Sequence, residues 1–174
     1  MQKDRILNII LVGGGLCIVC GAVISTVAVS LRDQQEQNVM FDHQSKISDA
    51  ARLLEVYPSS QEALASIEEV VVNLNDGQPS SFPPQQYNLD SILRDPSQHT
   101  VLNGSEDIAM ISVRENLSKV YIEYRTNELK TLILPVRGYG LWGTLYGYLA
   151  LDSDLNTIVG LEFYKHKETP GLGA

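Results

Sequence analysis

Two stretches combine residue types that could hold a ligand: "PVRGYGLWG" at residues 135–143 and "KHKETPGLGA" at residues 165–174. In the first, Gly138, Gly140 and Gly143 surround the chain's only tryptophan, Trp142. Glycines let a backbone approach another group closely. Tyr139, Leu141, Trp142 and Tyr146 offer flat or apolar walls, and backbone N–H groups would supply a polar edge. That chemistry suits a flat aromatic ligand. A glycine-rich turn around a core tryptophan has the same composition, and both readings stand at this point. No helical pattern follows Gly138 and Gly140, so the pair is no dinucleotide fingerprint. In the second stretch Pro170 holds Thr169 extended. Gly171 and Gly173 free the backbone on either side of Leu172. Glu168 and Thr169 can hydrogen-bond a ligand edge or pin the loop.

Other chemistries find little support. The histidines, His43, His99 and His166, are scattered, and none has metal-ligand spacing, so no metal site is expected. No Ser or Cys belongs to a recognisable base motif, so nucleophilic hydrolysis has no foothold. No residue is expected to act as a catalytic acid, base or nucleophile. Cys17 and Cys20 form a C-x-x-C inside an apolar run, where a free thiol packs as a small hydrophobe. The net charge of −8 argues against nucleic acid, which requires basic stripes.

The two loops need strands to position them. "DIAMISVR", "KVYIEYR", "KTLILPV", "GTLYGYLAL" and "NTIVGLEFY" follow one another from residue 107 at strand length, rich in Ile, Val, Leu and Tyr. Turns are expected at residues 115–116, 126–127 and 152–156. This predicts an antiparallel meander over a β-rich domain at residues 107–174. If strands 144–151 and 157–164 form a hairpin, its open end brings the two loops together. A sheet behind a helical leader gives an α+β fold.

Upstream, residues 6–31 contain no Asp, Glu, Lys, Arg or His. The run exceeds the ~20 residues that cross a bilayer, and it is too long for a signal-peptide core. It predicts one membrane helix after a short cytoplasmic segment, residues 1–5. Lys3 and Arg5 precede the span, which keeps the N-terminus cytoplasmic and puts the main domain outside, at a bacterial inner membrane. Gly13, Cys17, Gly21 and Ser25, spaced by four, make a small-residue face that another membrane helix could approach. Residues 32–106 read as a helical leader ending near Tyr57, a second short segment at 62–74, and an irregular connection to which no function is assigned.

The pieces Gly140-Leu141-Trp142-Gly143, Tyr146-Gly147-Tyr148-Leu149-Ala150-Leu151 and His166-Lys167-Glu168-Thr169-Pro170-Gly171-Leu172-Gly173 carry a specific resemblance. The chain resembles the C subunit of the Na+-translocating NADH:quinone oxidoreductases, strongly over its last quarter and fairly over residues 6–47. The flavoprotein subunit of Rnf-type electron-transport complexes has a similar Glu-Thr-Pro-Gly-Leu-Gly loop and is the alternative, beside a non-catalytic anchored assembly subunit. The resemblance implies an extracytoplasmic electron relay carrying FMN. Its complex would couple NADH oxidation and ubiquinone reduction to Na+ export, with other membrane subunits contacted through the helix. It places Leu141, Trp142, Gly143, Glu168, Thr169, Gly171 and Leu172 around the flavin. In that family FMN is bound covalently, through a threonine in a Ser-Gly-Ala-Thr-like motif. This sequence has none, so the attaching threonine is expected downstream of Ala174.

Overall fold

The structure is a computed structural model that describes residues 2–169 and Gly171, without the side chains of residues 2–8 and Glu36. The chain divides into two units, residues 1–41 and 42–174. The first is helical and belongs to a long helix, α1 (Gln2–Ala50). Its side chains at residues 9–31 are all exposed, although most are apolar. A helix apolar all round has no core to hide in here, and it is long and apolar enough to cross a membrane.

The second unit opens with the last turns of α1. A 3-10 turn (Leu53–Glu55) and helix α2 (Ser60–Ala65) follow. The Ser59 hydroxyl caps α2 by accepting from the Glu62 N–H at 3.3 Å. Helix α3 (Leu89–Arg94) is capped in the same way by Asn88, which accepts from the Ser91 N–H at 3.0 Å. The strands are β1 (Ile67–Asn73), β2 (His99–Val101), β3 (Val113–Glu115), β4 (Leu117–Arg125), β5 (Glu128–Tyr139), β6 (Thr144–Asp152) and β7 (Ile158–Lys165). Five of them form one antiparallel sheet in the order β1-β4-β5-β6-β7, and β2 pairs with β3 apart from it. The α+β architecture expected from the sequence is the one adopted.

Two segments differ from their sequence reading. Residues 67–73, inside the stretch read as leader and connection, form the edge strand β1 and pair along their whole length with β4. Residues 107–114 read as a strand, but only Val113 and Arg114 of them are in one. Both oxygens of Asp107 are committed locally, accepting from the Ile111 N–H at 2.8 Å and the Ser112 N–H at 2.7 Å. Met110 and Ser112 take positive φ, 52° and 63°, which no strand allows. The apolar residues Ile108 and Met110 are therefore left exposed on a loop.

Alternation along the strands gives the sheet two faces. Tyr121, Ile133, Tyr148 and Ala150 share one face, and Ile47, Ala50, Ala51, Leu53 and Ala63 pack on it to form the core. Gly160 pairs with Ala150 and lies so close under the Ala50 carbonyl that a β-carbon would collide with it. Within the same unit Glu123 is fully buried and fully engaged. It accepts from Tyr57 Oη at 3.0 Å, Arg125 Nε at 2.6 Å and Thr131 Oγ1 at 2.7 Å.

The hairpin turns carry their own chemistry. Thr126 and Asn127 both take positive φ, 52° and 65°, as a two-residue turn between twisted strands demands. Between β6 and β7, Asp154 accepts from the Asn156 N–H, the Thr157 N–H and the Thr157 hydroxyl at 3.0, 2.8 and 2.6 Å. Those bonds, the Thr157 side chain foremost, hold its carboxyl down to about 2.

Candidate functional site

The site is built where β5 hands over to β6. Tyr139 pairs with Thr144, and the turn between them closes with the Gly140 N–H donating to the Gly143 carbonyl at 2.8 Å. Strand β7 runs antiparallel to β6, with Lys165 opposite Tyr146. The residues after β7 therefore emerge beside the start of β6. The two loops meet there: Glu168 Oε1 accepts from the Trp142 N–H at 3.0 Å. Of the two roles open to Glu168 from sequence, this oxygen takes the pinning one.

The glycines serve close approach. A β-carbon on Gly140 would lie 2.5 Å from Glu168 Oε1 and 3.1 Å from Leu145 Cγ. One on Gly143 would lie 2.8 Å from Lys167 Cδ. Adjacent side chains after β7 thus both engage the turn, and glycine makes the room. Gly171 is glycine for another reason, its φ of +78°. Leu141 is 78 % exposed and Trp142 is 64 % exposed, so the tryptophan is no core residue. Gly143 is buried beneath them and Thr169 is exposed. Leu141, Trp142, Gly143 and Glu168 are thus gathered at one end of the sheet, with Thr169 and Gly171 continuing from the clamp. Leu172 lies outside the described residues.

An exposed indole and an exposed leucine thus stand on a turn whose glycine positions are packed against Glu168 and Lys167. The segment 107–112 adds to this end of the sheet, because the Tyr139 N–H donates to the Ala109 carbonyl at 2.8 Å. Behind it, Arg137 donates to Glu115 Oε2 at 2.8 Å and to the Val113 carbonyl at 2.6 Å.

Sequence reasoning missed a second cluster, on the helix-packed face. His43, Tyr87, Tyr121, Tyr148 and Tyr164 line a cavity of about 190 Å³ with Leu89, Glu115, Lys119 and Pro135. His43 Nδ1 is 2.8 Å from Tyr148 Oη, and the Tyr148 and Tyr164 rings stack at 4.8 Å. Burial lowers the His43 pKa and raises that of Tyr87 to about 12, with the Glu115 charge adding to the latter. Lys119 is paired with Glu69 at 3.3 Å, and Glu115 with Arg137. Tyr146 and Tyr148 alternate along β6, but only the strand order brings Tyr121, Tyr148 and Tyr164 together.

Residues 140–174 match the FMN-binding domain family. The match starts at Gly140, the residue whose space Glu168 occupies. Over its length the chain is 43 % identical to the C subunit of the Na(+)-translocating NADH-quinone reductase of Pseudomonas aeruginosa, covering 99 % of this chain and 68 % of that protein. The chain belongs to the family of C subunits of the Na(+)-translocating NADH-quinone reductases. The C subunit from Vibrio vulnificus is 36 % identical, with the same two coverages. The chain thus spans about two thirds of the length of these relatives. The crystal structure of Shewanella oneidensis NqrC is similar at a TM-score of 0.65 and 29 % identity, covering 74 % of this chain and 60 % of that one. These family members are named as subunits of a reductase, and the segment matched to the FMN-binding domain is the one that carries the clamp between Glu168 and Trp142.

Proposed function

We propose that this chain is a membrane-anchored flavoprotein subunit that holds FMN against the paired loops and relays electrons within a Na+-translocating NADH:quinone oxidoreductase. The observation that carries the reading is the Glu168–Trp142 hydrogen bond inside the segment matched to FMN-binding domains. FMN supplies the redox chemistry when bound, and the protein supplies position and electrostatics. Trp142 and Leu141 wall the ring. Backbone groups of Gly143, Thr169 and Gly171 meet its polar edge. Glu168 fixes the turn that aims the indole. Covalent attachment is assigned to a threonine beyond Ala174, following the family. NADH, ubiquinone and Na+ are handled elsewhere in the complex, which the protein joins through its membrane helix.

Trp142 reports on the site directly, because it is the only tryptophan in the chain. In the full chain in detergent, with the attaching threonine replaced so that FMN binds reversibly and any further tryptophan removed, FMN should quench this emission strongly, and Trp142→Ala should weaken FMN binding about two- to tenfold, the worth of one aromatic pair. Emission unmoved by saturating FMN would place the ring elsewhere and remove the reading.

The same proposal puts the second unit outside the cytoplasm. It rests on Lys3 and Arg5 before the uncharged run at residues 6–31. A reporter active only outside the cytoplasm, fused after Leu54, should be active. A silent fusion, with a cytoplasmic reporter working at that position, reverses the orientation.

A further inference from the structure

From the packing of Lys167 on the turn, we infer that its ammonium is the counter-ion for the anionic part of the flavin. The inference rests on the proposed FMN site. A β-carbon on Gly143 would lie 2.8 Å from Lys167 Cδ and 3.4 Å from both its Cβ and its Cγ. The stem is thus laid against the residue that follows Trp142. The charged nitrogen is two bonds beyond Cδ, so packing of the stem keeps it within one side chain's reach of the turn.

The site needs such a cation. The chain carries a net charge of −8. The clamp adds a carboxylate of its own at the turn, since Glu168 Oε1 accepts from the Trp142 N–H. Both would repel a phosphate, or the negative charge that the ring system gains on reduction. Lys165 is engaged elsewhere, with its ammonium 5.2 Å from the centroid of the Tyr146 ring. Lys167 is the neighbouring cation whose stem touches the turn itself. Its charge offsets that of Glu168, so the clamp can use a carboxylate without expelling an anionic ligand.

The phosphate and the reduced ring are two sources of the same chemistry, and one set of variants separates them. Lys167→Gln keeps the stem over Gly143 and removes the charge. Lys167→Arg keeps both. Each protein, in detergent, is titrated with FMN and with riboflavin by Trp142 quenching at low and at high salt, and the midpoint potential of the bound FMN is measured. If the phosphate is held, wild type prefers FMN to riboflavin, salt erodes the preference, Lys167→Gln reduces it about two- to fivefold, and Lys167→Arg retains it. If the reduced ring is held, the two flavins bind alike, and the potential falls in Lys167→Gln but not in Lys167→Arg. If Lys167→Gln changes neither preference nor potential while FMN still quenches Trp142, the inference is overturned and the FMN site stands. If FMN fails to quench wild-type Trp142, the site reading is lost and the inference with it.

Discussion

Glu123→Ala should be among the most destabilising single changes in the second unit, costing about 3–5 kcal/mol, as the loss of one partner in a buried ion pair does. Glu123 is fully buried, yet its two oxygens accept from Tyr57, Arg125 and Thr131. Removing the carboxylate strands three donors at once. Thr131 is itself buried, and its hydroxyl would have no water to turn to. Arg125 is one-third exposed and can recover some hydration, which holds the expected cost toward the lower end of that range. The residue is also placed to matter for architecture. It joins β4 to β5 through Thr131 and to the segment after the 3-10 turn through Tyr57. A domain of this size has a total stability on the order of 5–15 kcal/mol, so the variant should unfold at much lower denaturant concentration. Glu123→Gln keeps the shape and part of the bonding and should lose less. Urea unfolding followed by circular dichroism checks this. A midpoint for Glu123→Ala within error of wild type would mean that the network contributes nothing net.

The part of the fold that holds the site was legible because its signals are local. Strands β4 to β7 are runs of strand length rich in Ile, Val, Leu and Tyr, and the turns at residues 126–127 and 152–156 carry residues that suit them. The hairpin geometry then brings the two loops together without any further information. Strand β1 was harder for a physical reason. "IEEVVVN" has three valines in a row and so no alternation, and its partner β4 lies far along the chain. The segment at 107–112 misled in the opposite way. It has the apolar run of a strand, but Asp107 binds the two N–H groups that a strand would offer to a neighbour. At the turn, glycine signalled a close approach, while its partners, Glu168 and Lys167, depend on where each side chain goes. Spacing does not encode that. The cluster around His43 and Tyr148 depends on strand order and helix packing together, and neither is written in any one segment.

Breaking the clamp should abolish most of the flavin affinity by two independent routes that converge. Glu168→Ala removes the acceptor of the Trp142 N–H and frees the turn from the chain after β7. A hydrogen bond to a charged group contributes about 1.5–3 kcal/mol, and exposure holds this one to the low end of that range, so FMN affinity should fall roughly tenfold. Gly140→Ala reaches the same end by sterics. Its new methyl would stand 2.5 Å from Glu168 Oε1, so the carboxylate must shift from its place on the Trp142 N–H. The other close atoms, Leu145 Cγ at 3.1 Å and the Gly143 carbonyl at 3.2 Å, need to give by only a few tenths of an ångström. Gly140→Ala should therefore also cost about tenfold, because its effect passes through the same contact. Thermal unfolding should move little in either case, since the clamp lies beyond the ends of β6 and β7. The double variant decides the matter. Once Glu168 has lost its carboxylate, the methyl at position 140 meets little that cannot yield, so the two losses should not multiply. FMN titration of Gly140→Ala/Glu168→Ala should show about the tenfold loss of either single change. A loss near a hundredfold would mean that the two residues act separately, and that the bond between Glu168 and Trp142 is not what holds the two loops in register for the ring.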